Sequence, residues 1–310
     1  MLARTANGIF WLARYVERMD NLARLLEAAQ RMSGLSPQST DWLSALHATG
    51  CEQGYAAKYE RVTAAHVVYY LSCDRDNPSS ILSSLDRART NARAVRAALT
   101  RDMWDALNGA WLDSQRIDPI FFEPELLPET LDWVKNFTTR FLGAYASTML
   151  RNDVYHFTRM GTFIERADNT ARILDVKYHM LLPSFTGVGG LLDYYQWTSI
   201  LHSVSATRAY HWVYKSEVTP WNIAELLLLR QEMPRSIRSC LDVIDESLKW
   251  LAAAYGSQNG APQRLAGALS AQLRYGVIDD IFQMGLHEYL TQLIERIAKL
   301  AVEIERHYMH

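Results

Sequence analysis

The chain has 310 residues, with 32 Lys and Arg against 34 Asp and Glu and a net charge of −2, so it lacks the basic excess of a general nucleic-acid or anionic-membrane binder. Apolar residues make up 49% of it, ample for one large core or for two domains of about 150 residues. Cys51, Cys73 and Cys240 are widely spaced, with no Cys-x-x-Cys pair, a pattern of reduced thiols rather than of a disulfide or zinc framework.

Nearly every segment between turn signals has helical periodicity, which predicts an all-α protein. The first helix is expected over Thr5 to Met32, where Arg4, Arg14, Glu17, Arg18 and Asp20 interrupt any apolar leader. It should end in the loop around Gly34 and Pro37. Asp41 is placed to cap a second helix, with a break at Gly50–Gly54 and more helix to Leu71. Asn77-Pro78 reads as a helix start, Asn as the cap and Pro in the first turn, where its missing N–H costs nothing. That third helix should reach Leu112, and three prolines make Asp113–Glu129 irregular. A fourth helix is expected from Pro128 to Leu150, and a fifth up to Pro183. Thr186–Gly190 reads as a loop, and a sixth helix as Leu191 to Tyr214. Thr219-Pro220 repeats the start signal for a seventh helix to Tyr255, after which Gln263–Tyr308 is helical with kinks at Gly276 and Gly285. No run of 18 uncharged apolar residues occurs, and a cytoplasmic location is expected.

The chain writes one stretch twice. Tyr15–Glu27 returns 148 residues later as Phe163–Asp175. On a helix Glu17, Asp20, Asn21 and Arg24 form one polar stripe, with Arg18 at its border and Tyr15, Met19, Leu22 and Leu26 opposite. Core-facing residues differ between the copies: Met19 corresponds to Ala167 and Leu22 to Thr170. The stripe does not: Glu165, Arg166, Asp168, Asn169 and Arg172 repeat Glu17, Arg18, Asp20, Asn21 and Arg24. Solvated charges tolerate exchange within about 0.5 kcal/mol, so a buried network or a ligand site is favoured over a surface laced by i,i+4 pairs.

Further blocks recur in the same order. Trp42–His47 matches Trp197–His202, Asn77–Ile81 matches Thr219–Ile223, Arg93 and Arg96 match Arg235 and Arg238, and Gly143 keeps the offset of Gly285. The expected architecture is an internally duplicated bundle of two four-helix units, residues 1–148 and 149–310. A pseudo-twofold would bring the first and fifth helices together, so that Glu17 and Glu165 approach among Arg18, Arg24, Arg166 and Arg172. Such a cluster neutralises itself or cradles a carboxylate or phosphate. Glu17 and Glu165 are the candidate acid/base residues. Arg18, Asp20, Asn21, Arg24, Arg166, Asp168, Asn169, Arg172, Arg93, Arg96, Arg235 and Arg238 are the candidates for binding an anionic substrate. Asp rather than His follows each glutamate by three, and arginines oppose a dication, so no metal site is expected. His287 has Thr291 four residues on, which rules out a His-Glu-x-x-His zinc motif. The sequence has no Gly-x-x-x-x-Gly-Lys phosphate loop, no dinucleotide glycine fingerprint and no Gly-x-Ser-x-Gly elbow, and no cofactor is expected.

With these blocks in order, the whole chain resembles the bacterial alpha-E family. The resemblance rests on Phe10–Arg18, Asn77–Ile81, Asn91–Arg96, Trp104 with Asn108, Gly161 with Ile164–Asp168, Pro234–Ile237 and Gly285–His287. The family often has Gly where this chain has Ala13. The resemblance implies a genomic setting beside circularly permuted ATP-grasp ligases, which make amide bonds through acyl phosphates, and transglutaminase-like proteins. The expectation is therefore an accessory partner of an ATP-grasp amide ligase that binds an anionic amino acid or peptide. An enzyme of the same pathway using Glu17 or Glu165, and a purely structural helical protein, are the alternatives. Neither nucleic acid nor membrane is expected as a partner, and a homo-oligomer is left open.

Overall fold

The two copies of the repeated stretch lie on the two longest helices, α1 (Ala3–Leu35) and α8 (Asp153–Leu181). Helix α1 is rich in Ala, Leu and Arg, good helix formers, and neither helix contains proline. Apolar residues occur around the whole circumference of α1, and Ile9, Phe10, Leu12, Val16, Met19, Leu22 and Leu26 are all buried. A helix buried on every side is an interior helix. The computed structural model describes residues 1–35, 40–116, 122–123, 126–181, 191–256 and 260–309.

Among the described residues there are fifteen α-helices and no strand. Between the long helices come α2 (Thr40–Thr49), α3 (Glu52–Ala56), α4 (Ala64–Ser72), α5 (Ile81–Ala94), a 3₁₀ turn (Arg96–Ala98), α6 (Arg101–Ser114) and α7 (Leu127–Thr148). After α8 follow α9 (Leu191–Ser203), α10 (Thr207–Tyr214), α11 (Pro220–Leu228), α12 (Ile237–Tyr255), α13 (Ala261–Arg274), α14 (Ile278–Met284) and α15 (Leu286–Tyr308). Helix α1 packs on α5, α7, α9 and α2, while α8 packs on α12, α15, α2 and α9.

Helices α1 and α8 also pack on each other. They cross where a Cβ on Gly161 would sit 2.3 Å from the Phe10 carbonyl oxygen and 3.0 Å from Ala13 Cβ. Only glycine permits that approach. Ala13 and Gly161 are counterparts in the repeat, so one small residue from each copy meets at the crossing.

The helices are more numerous than the eight expected because side-chain caps interrupt the longer spans. Serine and threonine accept hydrogen bonds from free first-turn N–H groups and so start new helices. Ser80 caps α5 through Ser83 N–H, Thr100 caps α6 through Met103 N–H, and Ser236 caps α12 through Ser239 N–H. Asn77 is therefore not the cap. It lies three residues upstream, accepts from Ser79 N–H and donates to the Tyr70 carbonyl. Thr219 does cap its helix, α11, with Pro220 in the first turn. Helix α2 begins at Thr40, one residue before the cap expected at Asp41. The break between α9 and α10 passes through Ser205, whose φ of 53° is left-handed. Gly285, at φ 100°, ends α14, whereas Gly143 lies inside α7 with open space about it, so those two glycines play different roles. The expected Thr186–Gly190 loop lies outside the described residues.

No helix among the described residues is long and apolar enough to cross a membrane. The three cysteines are free, Cys73 and Cys240 buried and Cys51 half-buried.

Candidate functional site

The crossing of α1 and α8 brings the two polar stripes together, and their arginines change partners. Arg166 on α8 grips Glu17 on α1 with both arms, Nε to Oε1 and Nη2 to Oε2, each at 2.8 Å. In return Arg18 on α1 donates from Nε to Glu165 Oε1 on α8 at 2.6 Å. Each Glu-Arg pair therefore serves the opposite copy. Five Glu-Arg dipeptides occur in the chain. Those at 60–61, 295–296 and 305–306 have exposed or half-buried glutamates, and only Glu17 and Glu165 are buried.

The two halves of this network differ in what completes them. Arg235 comes from the turn before α12 and donates to Glu17 at 3.1 Å, to Asn21 Oδ1 at 3.0 Å and to Asp20 at 2.5 Å. Thr170, in the place of Leu22, fixes that turn by donating to the Arg235 carbonyl at 3.0 Å. Asp20 also accepts from Arg24 at 2.7 Å and from Thr138 at 3.1 Å. Burial alone would raise its pKa, but Arg235 and Arg24 outweigh burial and hold it below the usual carboxylate range. The Glu17 side chain is 0% exposed. This half is a sealed ion network.

The other half opens on a cavity of about 320 Å³ lined by Arg14, Arg18, Asn21, Thr49, Ser79, Glu165, Asp168, Asn169 and Arg172, with Leu22, Ala48, Ile164 and Ile297 as apolar wall. Glu165 takes Arg14 Nε at 2.9 Å as its second partner. Burial pushes the Glu165 carboxyl up, yet Arg18 and Arg14 prevail and bring it to about 2. Asp168 has one partner, Arg172 Nε at 2.7 Å. Ringed by protein and beside the Glu165 carboxylate, its pKa is raised despite Arg172. Equivalent aspartates, 20 and 168, are thus shifted in opposite directions.

The cavity presents donors without partners. Among the described residues Arg172 bonds only through Nε, to Asp168, and its terminal nitrogens have no hydrogen-bond partner. A Cβ on Gly50, which has φ 64°, would stand 3.4 Å from Arg172 Nη1, so this glycine leaves the guanidinium room. Asn21 is only 4% exposed and its Nδ2 is unpaired. Its Oδ1 is committed to Arg235, which fixes the amide orientation and leaves Nδ2 as an orphaned donor in the cavity wall. A buried unpaired donor costs about 1–3 kcal/mol, so an acceptor entering the cavity, water or ligand, is stabilised at this point.

Placement of the remaining candidates departs from the repeat. Arg93 and Arg96 are exposed, Arg96 lying over the Trp104 ring at 5.1 Å, and neither joins the network. Their counterparts are also unlike each other. Arg235 is in the network, whereas Arg238 donates to the Leu229 carbonyl at 3.1 Å and ties down the chain before α12. Arg24 and Arg172 pair with the aspartates of their own helices and not with the glutamates. Asn169 lines the cavity. Comparing the copies missed Arg14, because its counterpart is Thr162. The signal was its spacing, three and four residues before Glu17 and Arg18, which extends the stripe by a turn. Among the described residues no group of three or more His, Cys, Asp or Glu could hold a metal ion.

Residues 1–309 match the Alpha-E family, described as a predicted alpha-helical domain with a conserved ER motif, and the chain belongs to that family. Uncharacterized proteins of Mycobacterium bovis and of two Mycobacterium tuberculosis strains, CDC 1551 and H37Rv, are each 24% identical to it over 319 residues. The match takes in 95% of this chain but 35% of each relative, so the chain spans about a third of the curated relatives it matches. No solved structure matches the chain.

Proposed function

We propose that this Alpha-E chain binds the carboxylate end of a small amino-acid or peptide ligand in the cavity between α1 and α8, as the accessory partner of an ATP-grasp amide ligase. The observation that carries the reading is that the orphaned Asn21 amide lines the same cavity as Arg172, whose terminal nitrogens have no partner among the described residues. The arginines there outnumber the carboxylates by one, which suits a monoanion, and bidentate arginine donors match carboxylate geometry. The ligase partner rests on the family resemblance. A covalent setting supports partnership: in the mycobacterial relatives, about two thirds of each chain lies outside the match.

The acid/base alternative is weaker at both glutamates. Glu17 is sealed by Arg166 and Arg235, and Glu165 at about 2 is a poor base near neutral pH. An enzymatic role would fall to Asp168, whose pKa is raised at the cavity wall.

The duplication into units 1–148 and 149–310 belongs to the same proposal. Its supports are the exchanged arginines, the small residues at the crossing, and the matching company of α5 on α1 and α12 on α8.

The test is calorimetric titration with short acidic peptides, followed by amide formation with the purified ligase and ATP. Asn21→Leu and Arg172→Ala are each expected to weaken peptide binding about tenfold. Product made by this chain without the ligase, or peptide affinity untouched by both variants, would overturn the reading.

A further inference from the structure

A second cavity lies on another side of α1, and its chemistry differs from the first. Arg24, Glu27, Ala28 and Arg31 line it at the i, i+3, i+4 and i+7 positions of α1. Lys135 of α7 joins them, with His202 from the end of α9, Ser205 from the break after it, and Thr207 and Arg208 from the start of α10. Its volume is about 280 Å³, and it opens to solvent.

Four permanent cations and one carboxylate line it, and behind the lining Asp132 pairs with Lys135 at 2.8 Å and Asp20 with Arg24 at 2.7 Å, so one positive charge remains in excess. Glu27 is committed to Lys135 at 2.8 Å and Arg31 at 2.5 Å, and these partners, working against burial, hold its pKa down. Arg24 is fixed by Asp20 and donates from Nη1 to the Ser205 hydroxyl at 2.5 Å. Arg208 is exposed and makes no hydrogen bond or ion pair with any described residue. Helix α10 starts at Thr207, and Ala206 before it offers no side-chain cap, so its first-turn N–H groups add positive potential on the same side. His202 stays neutral near pH 7: burial and nearby Arg31 lower its pKa. The charge excess therefore does not depend on histidine protonation.

We propose that this cavity binds the phosphate group of a small soluble molecule. The site is separate from the carboxylate cavity, where Glu165 and Asp168 would repel a dianion. Arg24, Arg31 and Arg208 supply planar donors, Lys135 a point charge, and the walls formed by four helices leave room for a substituent beyond the phosphate. The concave shape distinguishes it from a flat basic face suited to a membrane.

The experiment is titration of the full chain with inorganic phosphate and with pyrophosphate, followed by calorimetry and by amide NMR at Thr207 and Arg208. Saturable binding is expected, weakened several-fold by raising salt and about tenfold by Arg208→Ala or Arg31→Ala. Both side chains are exposed, so the variants should fold, as a melting curve would verify. Arg101→Ala, on a distant exposed side chain, serves as the control. Absence of saturable phosphate binding would overturn the proposal. So would an equal loss in Arg101→Ala, or binding confined to vesicles containing anionic lipid. The peptide titrations of Asn21→Leu report on the other cavity, so either site can fail without the other.

Discussion

Replacing Arg166 by Ala would strip Glu17 of both hydrogen bonds from its bidentate partner and leave only Arg235, at 3.1 Å. Glu17 is fully enclosed, so no water takes the vacated place without opening the α1–α8 crossing. Removing one partner of a buried ion pair costs about 3–5 kcal/mol. Because Arg235 stays, the expected loss is near the lower end, about 3 kcal/mol. Arg18→Ala makes the comparison: Glu165 keeps Arg14 and faces a cavity that water can fill, so about 1–2 kcal/mol is expected. Urea unfolding followed by circular dichroism measures both, provided the slope with denaturant is unchanged. Combining Arg166→Met with Glu17→Leu removes both charges and should recover much of the loss. The reasoning fails if Arg166→Ala lies within 1 kcal/mol of wild type, or if Arg18→Ala is the more damaging of the two.

Asp20→Asn should destabilise by about 2 kcal/mol, since its charge holds Arg235 and Arg24, whereas Asp168→Asn should be neutral or slightly stabilising at pH 7, because its ionised form is the disfavoured one; equal effects in urea unfolding would refute the contrast. Glu165, brought from its ordinary 4.5 to about 2, contributes stability that is present above 4.5 and lost as pH falls toward 2. The stability gap between wild type and Glu165→Gln should therefore close over that window, and a gap constant across it would count against the assignment. Gly161→Ala should cost about 1–3 kcal/mol by forcing the helices apart. Gly109→Ala and Gly143→Ala, in open helical positions, should gain up to about 1 kcal/mol, and thermal melts rank all three.

The helical class and the meeting of α1 with α8 were legible because period and repetition are written in the sequence. Glu17 and Glu165 could be singled out because their neighbours drift while they do not. Helix ends were less legible. Asn77-Pro78 carries a start signal as strong as Thr219-Pro220, but Ser80 lies three residues on with a free hydroxyl and takes the cap. The asymmetry of the site was invisible for a related reason. Comparing copies treats matched residues as alike, whereas Arg235 and Arg93 match in sequence and part company in space. What separates them is the turn anchored by Thr170, a contact 65 residues away in the chain. Arg14 has no counterpart, and so a search for repeated residues passed over it.

The exchanged arginines bear on how the protein is made. Residues leave the ribosome in order, and domains generally fold as they emerge. Glu17 is synthesised well before its partners Arg166 and Arg235, which come 149 and 218 residues later. Until then the first long helix has no means of neutralising that carboxylate in a dry interior. Helices α2, α5 and α7 can cover part of its apolar circumference by then, but the side facing α8 and α9 must wait. Residues 1–148 therefore cannot finish folding on their own during translation, and α1 keeps the side that α8 and α9 cover open until those helices have emerged.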